Sequence, residues 1–365
     1  MAKQIRNVGL TLIVLMVVIC ICSRGDNGSN LLFPGVAYAL EKNESKEWKI
    51  AMFEHLIPIY QYVSENAPAT VKVEDNLTYA MILAKQENDE YSMSEDIVTL
   101  PQQEATNTQS PNEISLDKLR DFNYLLNTFY TVDSTTMIGP EQLNVDDLMS
   151  RSMKIDTTKE GPKVLIFHTH SQEAFKDSTP GDPATSIVGM GAYLAELLNA
   201  KGIPTIHHAG VYDLINGKLD RSKAYQMAEK GVREILKQYP TIEVVIDLHR
   251  DGVPETTHLV TDINGKQTAK IMFFNGLSRT KTNGDIAYLK NPYIQDNLSF
   301  SFQMRLQMES QYPGLARRIY LKGYRYSLHM KPKSLLVEAG AQTNTVQELK
   351  NSMELLANVL YEVLL

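Results

Sequence analysis

Residues 163–173 read KVLIFHTHSQE, and this stretch predicts the core of the fold. The largely apolar run 163–167 is typical of a short buried strand, and it ends at His168. His170 and Glu173 follow as a His-x-x-Glu pair, which places two side chains of the metal-ligand type within one loop. The stretch therefore predicts a strand that carries a metal-binding loop at its carboxyl end.

Two further apolar runs end on residues of the same chemical kind. The run 243–248 reads EVVIDL and ends at His249, and the run 334–337 reads SLLV and ends at Glu338. In α/β sheets, ligands bind at the carboxyl ends of the strands. We therefore expect three strands to deliver these side chains to one site.

The residue types indicate a single catalytic zinc held by His170, Glu173 and His249. A catalytic zinc usually takes three protein ligands and leaves one position open for water. Zinc lowers the pKa of that water to about 7, and a nearby carboxylate can then relay the proton. Glu338 is the predicted general base and acid. Both cysteines, at positions 20 and 22, lie in the N-terminal apolar run, so cysteine ligands are excluded elsewhere.

Two neighbours of the predicted ligands have open assignments. His168 is a rival to His170, but only His170 forms the His-x-x-Glu pair. If His170 is the ligand, His168 either supports the site or faces the substrate. Asp247 is suited to accept the second ring N–H of a zinc histidine, or it caps the turn after its strand.

Three basic residues complete the candidate set. We expect Arg250 to form a local ion pair with Asp251 that shapes the loop. Arg325 and His329 lie shortly before the strand of Glu338, where either could stabilise a developing oxyanion or hold a substrate carboxylate. Ordinary loop chemistry is the alternative for both.

Charge is distributed unevenly along the 365 residues, although the net charge is only −7. Residues 41–160 carry 10 basic and 22 acidic side chains, whereas residues 265–333 carry 12 basic and 3 acidic ones. The basic portion adjoins the predicted site, which suits an anionic polymer, although ordinary surface charge would look the same. The sequence contains no nucleic-acid-binding motif, so we predict no nucleic-acid partner.

The N-terminus carries a targeting signal. Lys3 and Arg6 precede an uncharged, aliphatic-rich run over 7–23. The pattern favours an uncleaved membrane anchor over 1–26, with a cleaved signal peptide as the alternative. In either case the bulk of the chain lies outside the cytoplasm. We predict an extracytoplasmic region with a polar linker over 27–114, rich in Gln, Asn, Thr and Pro at its end.

The remainder is divided into a lead-in over 115–160 and a catalytic domain over 161–365. We predict a lead-in helix over 115–130 with Ser115 as its N-cap. Strands and helices then alternate, which predicts an α/β fold: a mainly parallel twisted sheet with helices on both faces, after a small, mostly helical region. Predicted helices cover 186–200, 222–238, 296–312 and 345–365; further strands cover 203–207, 269–275 and 318–322. The helix over 222–238 is given a serine N-cap, and the last helix a capping box.

From about residue 116 onward, the chain resembles the stage II sporulation protein P family of peptidoglycan hydrolases. The resemblance rests on five stretches: GPKVLIFHTHSQEAF (161–175), VIDLHRDG (245–252), KIMFFNGLSR (270–279), YPGLARRIYLKGYRYSLHM (312–330) and SLLVEAGAQTNT (334–345). The family is similar to zinc N-acetylmuramoyl-L-alanine amidases, whose motifs include a strand-end histidine and a Val-Glu-x-Gly turn. One departure is the small triplet 339–341 after Glu338, where amidases usually place a bulkier residue.

The resemblance implies cleavage of peptidoglycan during forespore engulfment, at the stem-peptide amide and at the cross-links. It also implies a lytic transglycosylase partner, stage II sporulation protein D. Two other functions remain open on the residues alone. A metallocarboxypeptidase-like enzyme would use a similar set of ligands, and a non-catalytic wall-binding protein would not need an intact Glu338.

Overall fold

The computed structural model describes residues 115–365. The predicted membrane segment over 1–26 and the region with its linker over 27–114 lie outside the described residues. Among the described residues, no helix combines the length and apolar character that a membrane crossing requires.

The described part is a mixed α/β fold. The helices are α1 Leu116–Leu119, α2 Phe122–Phe129, α3 Val145–Ser150, α4 Ile187–Ala200, α5 Ala224–Gln238, α6 Ile294–Gln311 and α7 Val346–Leu364. The strands of the central sheet are β1 Tyr130–Val132, β2 Val164–Phe167, β3 Thr205–His207, β6 Val244–Asp251, β9 Ile271–Gly276, β12 Ile319–Lys322 and β13 Lys333–Ala341. Three two-stranded hairpins are β4 Leu214–Ile215 with β5 Lys218–Leu219, β7 Val260–Ile263 with β8 Lys266–Ala269, and β10 Arg279–Thr280 with β11 Gly284–Asp285.

The seven-stranded sheet has the order β1-β12-β9-β13-β6-β2-β3. Neighbouring strands are parallel throughout, with one exception, the antiparallel pair of β9 and β13. The prediction of a mostly parallel α/β sheet is therefore confirmed. The reversal at β9 was not predicted, and it divides the sheet into two parallel blocks. The segment over 115–160 contributes β1 to this sheet.

Side chains of the central strands alternate between two apolar layers. Val164 and Ile166 of β2 belong to the larger core, which also holds apolar residues of α4, α6 and α7. Leu165 and Phe167 belong to a second core together with Ala228 of α5. Because successive residues of a strand point to opposite faces, helices cover both faces of the sheet, as predicted.

The local helix signals are largely confirmed. Ser186 accepts a hydrogen bond from the Val188 amide at the start of α4, and Gly202 adopts a φ of +81° just after its end. At the start of α7, Thr345 and Glu348 form the predicted capping box. These signals were readable because the capping hydrogen bonds join residues two or three positions apart.

Three local predictions were wrong. The helix over 115–130 is divided into α1 and α2, because the Asp121 carboxylate accepts from the Tyr124 amide and starts a new helix. Ser222 does not cap α5, because Lys223 is the N-cap residue and the Ser222 hydroxyl donates to Asp220. Ser115 is at the N-cap position of α1, as predicted, although its side chain accepts no hydrogen bond from the helix. The single strand over 269–275 is interrupted at Lys270, which separates β8 from β9.

Candidate metal centre and active site

The His-x-x-Glu loop begins directly after β2 and brings two side chains together with one from β6. The Oε1 atom of Glu173 lies 3.4 Å from Nδ1 of His170 and 3.6 Å from Nδ1 of His249. The candidate ligand atoms of these three residues all lie within 4.8 Å of one another. The structure thus assembles the three residues that the sequence indicated.

Hydrogen bonds orient Glu173 through both its side chain and its backbone. Its Oε2 atom accepts a hydrogen bond from the Arg250 amide at 2.8 Å, which leaves Oε1 directed towards the two histidines. The backbone carbonyl of Glu173 accepts from the Ile187 amide at the start of α4. Glu173 is therefore held through its side chain and through its main chain.

Asp247 determines which nitrogen of His249 faces the cluster. His249 donates from Nε2 to Oδ1 of Asp247 at 2.7 Å, so Nδ1 is turned towards Glu173. Asp247 also accepts from the Thr169 amide, the Thr169 hydroxyl and the Ser327 hydroxyl. A carboxylate that receives the second N–H of a metal histidine sets the tautomer and orientation of the ring.

Burial and charge act in opposite directions on these groups. Burial favours the neutral form of His249, but Asp247 and Glu173 raise its pKa well above the ordinary value. Burial likewise opposes ionisation of Glu173, yet His249 and His170 lower the pKa of this carboxyl well below the usual range. The buried carboxylate and the imidazoles thus stabilise one another.

This donor set fits zinc. Zinc binds imidazole nitrogens and carboxylate oxygens, and catalytic sites commonly combine two histidines with one glutamate. Oε2 of Glu173 and Nε2 of His249 are hydrogen-bonded to the Arg250 amide and to Asp247, respectively. Oε1 of Glu173 and Nδ1 of His249 face each other and are left to bind an ion. His170 is the most accessible of the three residues.

Glu338 lies beside this cluster on the neighbouring strand. It pairs in register with His249 across β13 and β6, so the two side chains are on the same face of the sheet. The carboxyl group is 4% exposed, and its Oε2 atom has no hydrogen-bond partner among the described residues. Burial raises the pKa of Glu338 to about 8, against the attraction of His249.

A bulge follows Glu338 and explains the small triplet 339–341. The register of β13 against β6 shifts between Glu338 and Ala341, and Gly340 adopts a φ of +60°. A Cβ atom at Gly340 would lie 2.9 Å from Oδ1 of Asn344, which accepts from the Ala341 amide. Both the left-handed conformation and the close approach favour glycine here.

His168 is not part of the cluster. It is 0% exposed, which favours a supporting role over a substrate-facing one. Its Nδ1 atom donates to the Leu248 carbonyl at 2.7 Å, and its Nε2 atom lies 3.0 Å from Nε2 of His207. Both ring nitrogens are therefore engaged, and burial lowers the pKa of His168 to about 4. A Cβ atom at Gly191 would collide with this pair.

The basic candidates have other partners than those expected. The Arg250 side chain donates from Nε to the Ala174 carbonyl, and Asp251 pairs with Arg317 at 2.5 Å, so the predicted pair of Arg250 with Asp251 was wrong. Arg250 donates from Nη1 to the backbone carbonyl of Asp251 at 3.3 Å, while the Asp251 carboxylate is paired with Arg317, which is remote in sequence.

The other two basic candidates, Arg325 and His329, both meet Glu229 of α5. Arg325 lies 3.1 Å from Oε2 of Glu229, and His329 lies 3.0 Å from Oε1. A protein carboxylate faces both groups, which favours the alternative of ordinary structural contacts over a role towards the substrate.

Four further residues near the site were missed by sequence reasoning: Asp213, Arg221, Tyr225 and Arg317. The first three belong to no quoted stretch and come from the segment between β3 and the first turn of α5, whereas Arg317 lies within the quoted stretch 312–330. The sequence offered one signal for the first three residues: polar side chains are concentrated in this segment, which also forms a hairpin.

Fold and site together define a class: a mixed α/β protein with a candidate metal centre at the carboxyl ends of its central strands. Within that class, the chain belongs to the Stage II sporulation protein P (SpoIIP) family, whose model matches residues 49–361. The resemblance drawn from the motifs is thereby confirmed.

A curated relative agrees with this assignment. Stage II sporulation protein P of Bacillus subtilis (strain 168) is 25% identical over 222 residues, which cover 57% of this chain and 52% of the relative. The matched part thus spans about half the length of that relative.

Solved structures of amidases are among the similar folds. The CwlD amidase of Clostridioides difficile, solved in complex with the GerS lipoprotein, is 17% identical, with 55% of this chain and 94% of that chain covered and a TM-score of 0.34. The catalytic domain of CwlV, an N-acetylmuramoyl-L-alanine amidase from Bacillus (Paenibacillus) polymyxa var. colistinus, is 14% identical, with 55% and 95% covered and a TM-score of 0.32. Likenesses at these TM-scores carry no argument about activity.

Proposed function

We propose that this protein is a zinc-dependent peptidoglycan hydrolase that cleaves the N-acetylmuramoyl-L-alanine amide, and also stem-peptide cross-links, during forespore engulfment. Membership of the sporulation family supports the biological setting. The observation that carries the chemistry is the position of Glu338, a buried carboxyl in register with His249 and beside three potential ligands. Its Oε2 atom has no partner among the described residues, so a reacting group can use it.

In this proposal His170, Glu173 and His249 hold the ion, and Asp247 keeps Nδ1 of His249 directed towards it. Zinc, when bound, supplies a Lewis acid that activates water and polarises the amide carbonyl. The positive charge of the bound ion would favour the ionised form of Glu338. As a carboxylate, Glu338 accepts a proton from the attacking water and then delivers that proton to the leaving amide nitrogen. Water adds to the carbonyl carbon, the C–N bond breaks, and the products are a carboxylate and an amine.

The setting of the reaction is also part of the proposal. The basic run over 265–333 would face an anionic wall polymer, and a lytic transglycosylase such as stage II sporulation protein D would act beside it. The N-terminal segment would anchor the protein to a membrane, with the catalytic part outside the cytoplasm.

The experiment is digestion of purified sacculi with the full-length, zinc-loaded protein, followed by mass spectrometry of the muropeptides. We expect release of whole stem peptides, together with products of cross-link cleavage. Release of one terminal residue would instead identify a carboxypeptidase-like enzyme. Binding to sacculi with no product from zinc-loaded protein would identify a wall-binding protein and overturn the proposal.

A further inference from the structure

Three residues of one short segment contact three different parts of the His-x-x-Glu loop. The segment covers residues 213–225, from hairpin β4–β5 into the first turn of α5, and is called the positioning segment below. Its contacting residues are Asp213, Arg221 and Tyr225. The segment contains none of the site residues that were predicted from the sequence.

Asp213 holds the middle of the loop. It accepts from the Ser171 hydroxyl at 2.7 Å through Oδ1 and from the Gln172 amide at 3.1 Å through Oδ2. Ser171 and Gln172 are the two residues that separate His170 from Glu173. Asp213 is 0% exposed, and hydrogen bonds to a buried carboxylate are among the stronger ones in proteins.

Arg221 lies between this carboxylate and the candidate ligand Glu173. Its Nε atom is 3.8 Å from Oδ2 of Asp213, and its Nη2 atom is 3.9 Å from Oε1 of Glu173. Two buried carboxylates at such separations from a common point would repel one another. The guanidinium group of Arg221 lies near both carboxylates and offsets that repulsion.

Tyr225 contacts the remaining end of the loop. Its ring lies edge-to-face with that of His170, with centroids 5.6 Å apart and an interplanar angle of 75°. On its other side it packs against Tyr326 at 5.3 Å. This geometry is favourable for aromatic pairs, and it limits rotation of the His170 ring.

We propose that Asp213 is a positioning residue for the metal site, which sets the spacing of His170 and Glu173 from outside the ligand set. The inference rests on the proposed zinc site and adds a residue to it. Four consecutive residues of a loop have many conformations, and only those with both ligands turned to one point bind a metal. Asp213 selects among them through the two intervening residues, and Arg221 and Tyr225 support the two ends.

The test compares Asp213→Asn with Asp220→Asn in the full-length protein. Asp220 is a matched control because it belongs to the same hairpin and loses the same charge, while its carboxylate contacts Ser222 rather than the metal loop. Zinc affinity is measured by competition with a chelating indicator. The visible absorption of the Co²⁺-loaded protein reports ligand geometry, and the thermal midpoint reports folding.

We expect Asp213→Asn to weaken zinc binding by about 10–100-fold and to change the Co²⁺ spectrum, as loss of a group that orients metal ligands does. Asp220→Asn should change neither. Wild-type zinc affinity together with a wild-type Co²⁺ spectrum in Asp213→Asn would overturn the inference while leaving the proposed function intact.

Ser171→Ala is a second variant that tests the same contact if Asp213→Asn does not fold. It removes one of the two loop contacts of Asp213 and leaves the Asp213 side chain unchanged, so we expect a smaller loss of zinc affinity with a normal thermal midpoint. Unchanged affinity in a folded Ser171→Ala protein would count against the inference. A wild-type protein that binds no zinc would overturn the metal site itself, and the inference with it.

Discussion

Asp247 receives the Nε2 proton of His249 at 2.7 Å, and this contact turns Nδ1 of the same ring towards Glu173. The two residues are separated by one position on β6 and lie on the same face of the sheet. Alternation along a strand therefore places the candidate ligand His249 and the group that orients it side by side. His249 comes from a strand, which is more rigid than the loop that carries His170 and Glu173.

The ligand set predicts the metal content of three variants. His170→Ala, Glu173→Ala and His249→Ala should each lose stoichiometric zinc, because two remaining donors bind the ion weakly. Zinc per chain is measured on purified protein by elemental analysis. His258→Ala is the control, since His258 pairs with Glu348 at the start of α7 and should retain zinc. Full zinc in the His170 variant would transfer the ligand role to His168.

Glu338→Gln should separate chemistry from binding. The amide side chain has nearly the same shape but cannot accept and return a proton, so the rate should fall by about 10²–10⁴-fold. Zinc content and thermal midpoint should be close to those of the wild type. Release of stem peptide from sacculi is the measurement. Wild-type turnover would exclude Glu338 from the mechanism, and lost zinc would make it a ligand.

Gly340→Ala should destabilise the protein more than Gly202→Ala. Both glycines have positive φ, which costs other residues about 1–3 kcal/mol. An added Cβ meets nothing within 4 Å at position 202, whereas at position 340 it lies 2.9 Å from Oδ1 of Asn344. Urea unfolding gives the free energy for each variant. Equal losses would show that the bulge accommodates a methyl group.

The lowered pKa of Glu229 predicts that this residue contributes to the free energy of unfolding in a pH-dependent way. Its pKa is lowered from 4.5 to about 2, chiefly through His329. A carboxyl whose folded pKa is depressed contributes stability above its unfolded pKa and loses it as pH falls through the folded value. Glu229→Gln should therefore be less stable than the wild type at pH 6, with a difference that shrinks between about pH 4.5 and pH 2. A difference that stays constant over this range would contradict the prediction.

The N-terminal segment is predicted to remain attached as an anchor. The protein should fractionate with membranes, and an added protease should reach the catalytic part from outside the cytoplasm. Sequencing of the purified protein should find the segment over 1–26 intact. A mature N-terminus near residue 40 would show that a signal peptide had been removed.

The sequence by itself determined the features that depend on short spacings. Apolar runs of four to six residues marked the strands that carry His249 and Glu338, and the His-x-x-Glu spacing marked the loop. The capping box at Thr345 was readable because its hydrogen bonds join residues three positions apart. The alternation of strands and helices along the chain also predicted that helices cover both faces of the sheet.

Only the tertiary structure decided which remote groups meet. Leu248 and His207 engage the ring of His168, whereas His170 meets Glu173 and His249. The reversed direction of β9, the pairing of Asp251 with Arg317 and the contact of Asp213 with the metal loop join segments that are distant in sequence. Such contacts produce no periodic pattern in the sequence, because they depend on the packing of the whole sheet and not on the local conformation of the chain.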